Sequence, residues 1–389
     1  MEAGDDAASL DASVFDDVLM RGGADARKEL ARQLAAFLPS SKPGSKDRET
    51  VIAKLIKLAT DPVVEVRESL AGQLSQLSPL EADVVFTIIA DDDFIALPFL
   101  ASTPALDRWQ MLAVLKIGDL VRQLQIASRP NLCPECIDYI IETTEWPVCA
   151  SLLDNQAFEP VERDYRRLYA RFAGEPEIVE RLLARQDIPL VIRIVEAKRT
   201  SNRIQEYLDS SALMSEDDGG RLVAAAEETA TLRVLAAANE AELDQVLPFL
   251  LNKRLLTPSL ILRAAVVGEM RFIERALSQL SGIPLQRVQG LLYQRGSPSF
   301  RALFNRCGLP AGCFHLMRAA IAVECGIRES GEIVSSDTFG SWVVESIMAG
   351  FDGLTMDEKL KLLSYVAEFG TDRPQAIATR LKSTLNRAA

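Results

Sequence analysis

Cys133-Pro134-Glu135-Cys136 has the spacing that places two thiolates on one metal ion or lets them form a redox pair. A four-ligand zinc site needs two more ligands, yet the only histidine, His315, and the pair Cys307 and Cys313 lie far along the chain. Thioredoxin-type chemistry wants the motif between a strand and a helix, and no βαβ setting surrounds it. The pair therefore reads as two small residues at a helix start, and neither a metal nor any other cofactor is expected. His315 sits among apolar neighbours in Cys313-Phe314-His315-Leu316, and a nucleophile–base pairing with Cys307 or Cys313 rests on sequence proximity alone. It reads as a packed or surface side chain. Asp91-Asp92-Asp93 has the charge of a calcium loop without its alternating ligands and glycine, so it reads as a helix N-cap stabilised by the helix dipole. Gly44-Ser45-Lys46 lacks the first glycine and the spacing of a P-loop. With no paired carboxylates in a known motif, no nucleophile elbow and no cofactor fingerprint, no catalytic residue is expected and the chain reads as non-enzymatic.

One interval departs from the charge of the whole. Forty-three Lys and Arg against fifty-five Asp and Glu leave a net charge of −12, which repels DNA and anionic membrane at long range. From Arg275 to Val323, however, Arg275, Arg287, Arg295, Arg301, Arg306 and Arg318 occur with no Asp or Glu, interleaved with Tyr293, Phe300 and Phe304. These arginines either reach acidic helices elsewhere or present a positive surface, one that would suit a phosphate-rich or single-stranded ligand. They are the candidate binding residues.

The elements that must position these groups are helical. Aromatic content is only 6% and alternating Val, Ile, Thr and Tyr runs are missing, so strands are scarce, while 48% hydrophobic content supports a well-packed fold. Val51 to Leu100 states one unit twice. Val51, Leu55, Ile56 and Leu58 form an apolar helical face broken by Asp61-Pro62, after which Val63, Val66, Leu70 and Leu74 resume; Val84, Val85, Ile88 and Ile89 then lead through the three aspartates to Ile95, Phe99 and Leu100. Helix, acidic break, helix, at a spacing of roughly thirty residues, marks a stacked helical-hairpin solenoid. Further pairs follow at 107–117 and 119–127, then short helices starting at or beside Pro134, Pro147, Pro160, Pro176 and Pro189, where proline's missing N–H would have no partner anyway. The linker SSKPGSKDRET reads as a surface loop, and SEDDGG at 215–220 as a flexible turn after which the helical spacing becomes less regular. Near the C-terminus, Thr355 with Glu358 forms a capping box.

Asp61-Pro62 followed by Val66-Arg67 and Leu70-Ala71 resembles the HEAT repeat, in which an acidic residue at the hairpin turn and an arginine early in the second helix tie neighbouring repeats together. More narrowly, DPVVEVRESLAGQLSQL, IADDDFIALPFLASTPAL, WPVCASLLDNQAFEP, LARQDIPL and FRALFNRCGLPAGCFHLMRAAI, taken in order over roughly residues 50 to 325, resemble an alphaproteobacterial family classed as a domain of unknown function with HEAT-like repeats. The resemblance implies a fold and a bacterial cytoplasmic setting, and no reaction.

The sequence thus predicts an all-α protein: N-terminal helices and linker over 1–50, a HEAT-like array over 51–210 and a C-terminal helical subdomain over 211–389. No run of eighteen apolar residues occurs and the acidic opening lacks a signal-peptide core, so a cytoplasmic protein without a membrane span is expected. The expected function is that of a scaffold or adaptor for a protein partner, in signalling or envelope regulation, with the second helix of each hairpin lining the working surface. The alternative is binding of nucleic acid or a phosphate ligand through the arginines of 275–323.

Overall fold

The computed structural model describes residues 12–211, 215–293, 298–349 and 353–388. Among these there are twenty-three α-helices, short 3-10 turns and no β-strand. No helix of the described residues is long and apolar enough to cross a membrane. The chain divides into two compact units between Ile188 and Pro189, ahead of the 210/211 boundary expected from the sequence.

The first unit holds α1 (Ala12–Arg21), α2 (Ala24–Phe37), α3 (Lys46–Ala59), α4 (Val64–Leu74), α5 (Ala82–Ile89), α6 (Asp93–Ser102), α7 (Arg108–Ile117), α8 (Leu120–Ala127), α9 (Pro134–Thr143), α10 (Trp146–Asp154), α11 (Glu162–Phe172) and α12 (Pro176–Ala184). Each of the pairs α3–α4, α5–α6, α7–α8, α9–α10 and α11–α12 packs as a hairpin. The second helices also touch in series, α2 with α4, α4 with α6, and on through α8 and α10 to α12. Each helix therefore has a neighbour to cover its apolar face. Leu55 and Leu58, Leu70 and Leu74, Phe99 and Leu100, Ile140 and Ile141, and Leu152 are all at most 1% exposed. Each such side chain contributes about 1.5–3 kcal/mol on burial. Short helices like these, of eight to fourteen residues, would be marginal alone.

Helix starts follow the local chemistry. The Ser45 hydroxyl accepts from Arg48 N–H, Asp107 and Gln110 form a capping box, and Asp119 accepts from Arg122 N–H. The cap at Ser45 corrects the expected loop, because KDRET belongs to α3.

Polar ties join successive hairpins. Arg27 pairs with Asp61 at 2.6 Å, and Arg67 of α4 reaches Asp91 at 2.7 Å while donating to the Asp61 carbonyl at 2.8 Å. A second series runs along the helix C-termini, whose last carbonyls lack intrahelical donors. Arg129, just past α8, donates to the Leu100 and Thr103 carbonyls at the end of α6. Asn155, just past α10, donates to Ala127 and Arg129 at the end of α8, at 3.0 and 2.7 Å. Arg185, just past α12, donates to Leu153 and Phe158 at 3.4 and 3.2 Å. Arg171 of α11 does the same for Ile141 and Thr144 at the end of α9. Each side chain caps the helix two elements back, adding charge-assisted or amide hydrogen bonds where the dipole favours them.

The second unit holds α13 (Leu190–Ser211), α14 (Glu216–Ala237), α15 (Glu240–Asn252), α16 (Pro258–Val267), α17 (Met270–Ser281), α18 (Leu285–Tyr293), α19 (Pro298–Arg306), α20 (Phe314–Ser330), α21 (Ser336–Met348), α22 (Met356–Phe369) and α23 (Asp372–Ala388). The short helix expected to start at or beside Pro189 instead runs from Leu190 to Ser211 and packs along α14, which draws it into the second unit. SEDDGG is a helix start: the Ser215 side chain caps α14 by accepting from the Asp218 N–H. The unit is built around α16, whose residues Leu260 to Val266 are all buried and which packs on α14, α17, α20, α21 and α22.

Candidate functional site

The two cysteines of the CxxC stretch meet at the start of α9. Cys133 is its N-cap, taking the Cys136 N–H at 3.4 Å, with Pro134 at the first helical position and the two sulfurs 3.0 Å apart. Cys136 is fully buried, and burial together with the neighbouring sulfur pushes its thiol pKa well up, away from thiolate chemistry. Among the described residues no three His, Cys, Asp or Glu side chains converge in a way that could hold a metal ion. Cys307 gives its thiol to the Leu277 carbonyl at 3.6 Å, and burial raises its pKa to about 11. The half-buried His315 ring lies edge-on to Phe314 at 5.3 Å. Of the three aspartates, Asp92 is the N-cap of α6, Asp91 pairs with Arg67 and Asp93 with Arg122.

The structure separates the six arginines. Arg295 lies outside the described residues. Arg275 is buried and held by Glu240 at 2.9 Å and Asp244 at 3.0 Å, both on α15. Arg287 is exposed on α18. Arg301 and Arg318 converge on one ring, lying 4.1 and 5.9 Å from the centroid of Phe314. Arg306 is exposed and donates to the Ser281 carbonyl at 2.7 Å. The interleaved aromatics offer no stacking platform. Phe300 and Phe304 are buried against Phe314, with centroids 5.3 Å from it, and the Tyr293 hydroxyl donates to the buried Glu274 at 2.5 Å while Arg328 covers its ring.

What sequence inspection missed is a row of exposed apolar side chains in the first unit. Val64 opens α4, Phe94 is the second residue of α6, Leu120 and Val121 open α8, and Trp146 opens α10. Their exposures run from 38% for Trp146 to 66% for Phe94. The first or second position of four successive second helices thus carries a large apolar group facing solvent. Two grooves lie between these helices. One of about 670 Å³ separates α4 from α6 and has Phe94, Pro98, Glu65 and Glu68 in its wall. Another of about 590 Å³ lies along α10 towards α12, walled by Trp146, Pro147, Asp154 and Arg181. Exposed acids, Glu65, Asp92 and Glu145, stand beside the apolar groups. The signal was present in the sequence as a large apolar residue one or two places after each hairpin break, where a solvated start would ordinarily be polar.

No curated protein and no solved structure matches the chain. One family model does match, that of an uncharacterised protein conserved in bacteria, DUF2336, over residues 95–338. That span runs from α6 into α21 and takes in more than half of the chain, which therefore belongs to the DUF2336 family.

Proposed function

We propose that this chain is a non-catalytic, HEAT-like solenoid module that binds a protein partner along the second helices of its hairpins. The observation that carries the reading is the set of exposed apolar residues Val64, Phe94, Leu120, Val121 and Trp146 in the first two positions of α4, α6, α8 and α10. Neighbouring helix axes lie about 8–10 Å apart, so the row extends over roughly 30 Å, the length of a helix of about twenty residues. A contiguous apolar strip rimmed by polar groups is the surface pattern of an interaction site. The acids beside it and the net charge of −12 suit a partner segment that is amphipathic and basic. Adaptor work in bacterial signalling or envelope regulation is consistent with such a surface. The arginine run supports the nucleic-acid reading less, because Arg275 is already paired and Phe300 and Phe304 are in the core.

The test is a photo-crosslinking side chain placed at position 94 or 146 of the full chain in cells of a host carrying the native gene. Both positions are expected to capture the same protein. In the Phe94→Glu, Trp146→Glu double variant, with unchanged helicity and melting, affinity for that protein should fall by a factor of 30 or more, on the order of 2 kcal/mol for losing a central aromatic anchor. Equal affinity in the folded double variant refutes the reading.

A further inference from the structure

Among the described residues of the second unit, Glu274 and Arg275 have close partners, whereas Arg199 and Arg263 each keep a buried guanidinium nitrogen without a hydrogen bond. Glu274 on α17, 2% exposed, accepts from Tyr293, from Gln289 at 2.6 Å and from Arg328 at 2.9 Å. Arg275 has its two carboxylates. Arg263 stands in the middle of α16, within a helix otherwise packed with Leu, Ile, Ala and Val, and is 7% exposed. Its nearest acid is Glu228, 3.7 Å from Nε, too far for a hydrogen bond. Glu228 itself is taken up by the hydroxyls of Thr257, at 2.8 Å, and Ser259. Arg263 Nε is buried with no hydrogen-bond partner among the described residues, and the guanidinium lies over the Phe369 ring, 5.3 Å from its centroid. A planar fork of donors left open in an apolar helix is costly unless something completes it.

The guanidinium forms part of the wall of a cavity of about 490 Å³, a size suited to a small molecule. Leu232, Val267 and Phe369 supply its apolar lining, and Arg233, exposed on α14, adds a second cation. Ser335 and Ser336 at the start of α21, and Thr371 and Asp372 at the start of α23, bring the first turns of two long helices to the same cavity, where backbone N–H groups and the dipole favour negative charge. Three acids also line it, Glu269, Asp337 and Asp372. Asp337 already accepts from the Thr371 hydroxyl, whereas Glu269 makes no side-chain hydrogen bond among the described residues. A cavity with both signs of charge disfavours a polyanion.

We propose that this cavity is a binding site for a small molecule carrying a single oxyanionic group, carboxylate or phosphate, held by Arg263 and Arg233, with hydrogen-bond donors at its other end facing Glu269. The bidentate geometry of the guanidinium matches either oxyanion. The site is independent of the apolar row on the first unit.

Inorganic phosphate and acetate, each against chloride at matched ionic strength, are the probes for thermal unfolding and calorimetric titration of the full chain. A ligand that binds only the folded state raises the melting temperature with concentration. At least one of the two anions is expected to do so, and which one identifies the oxyanion. Arg263→Gln should weaken the apparent affinity at least tenfold and Arg233→Ala several-fold. Should Arg263→Gln fail to fold, the exposed Arg233→Ala carries the test. No response of the natural chain to either anion, or a response undiminished in a folded variant, overturns the proposal.

Discussion

Arg129 offers the sharpest test of how the hairpins of the first unit are held together. Its guanidinium donates to the Leu100 carbonyl and, at 2.6 Å, to that of Thr103, closing the C-terminal end of α6 from a position just beyond α8. The substitution Arg129→Met keeps much of the aliphatic stem and removes both donors. Two hydrogen bonds from a charged donor would be worth about 1.5–3 kcal/mol each. Against that stand two offsets. Burial of the guanidinium has a cost of its own, visible in a pKa held below the ordinary arginine value and in an Nε without a partner; water also reaches a half-exposed site once the arginine is gone. The net loss should be about 2–3 kcal/mol. For a unit of this size that lowers the melting temperature by about 4–12 °C. Arg129→Lys, which keeps the charge but not the fork, should fall in between. The control is Arg108→Ala, whose partner Glu135 is 3.7 Å away with both side chains more than half exposed, a pair worth about 0–1 kcal/mol. Calorimetry and chemical denaturation followed by circular dichroism measure all three. If Arg129→Met melts within about 2 °C of Arg108→Ala, a spread too small for the lost bonds, the carbonyl ladder is not what joins the hairpins.

Two other perturbations follow from local geometry. Gly268 and Gly282 both end helices at positive φ, +87° and +69°, but a Cβ at 268 would lie 2.8 Å from the Phe339 ring whereas one at 282 meets nothing within 4 Å; Gly282→Ala should cost about 1–2 kcal/mol from backbone strain and Gly268→Ala clearly more, as read by denaturant midpoints. Cys307, whose thiol burial raises from the usual 9.0 to about 11, binds its proton more tightly folded than unfolded, so its contribution to stability is present below pH 9 and lost as pH climbs towards 11; Cys307→Ala should flatten the alkaline fall in stability, and a fall of the same steepness in the variant would show that another group governs it.

Much of the helical order was legible because punctuation is local. Proline at a first turn and Thr355 before Glu358 each act within four residues of themselves, and the structure starts α12 at Pro176 and places a capping box at Thr355. The failures share a cause. KDRET and SEDDGG carry the composition of loops, yet a serine cap followed by acids is also a helix start, and only packing decides between them. The second half of α13 shows too few apolar residues to announce itself, and it is helical because α14 lies along it. Pro98 and Pro248 lie inside α6 and α15, against the rule that proline ends a helix, and the surrounding hairpins hold those helices regardless. The C-terminal ladder was invisible because its acceptors are backbone carbonyls, which every residue has. Only the recurrence of Arg129, Asn155 and Arg185 just beyond successive helices could have hinted at it. For the arginines of 275–323, composition could show the absence of acids nearby but not Glu240 and Asp244 arriving from α15.

Each unit carries a feature that its own folding does not require, and the two features bear on where function resides. In the first unit, charged side chains are drawn inward to helix ends and hairpin turns, where Arg67, Arg122, Arg129 and Arg185 complete backbone carbonyls. That leaves the starts of α4, α6, α8 and α10 to carry apolar groups outward, an arrangement that folding alone does not require, since each of those side chains would be less costly to solvate as a polar one. In the second unit the core gathers around α16, and one departure from the folding optimum is internal: a guanidinium where leucine would pack. Stability explains the ladder and the core, and it explains neither of these two features. Their costs are of different kinds, solvent-facing apolar area in one case and an uncompleted buried donor in the other. A protein surface would relieve the first and an oxyanion the second, so substitutions at Phe94 and at Arg263 should separate cleanly in what they disturb.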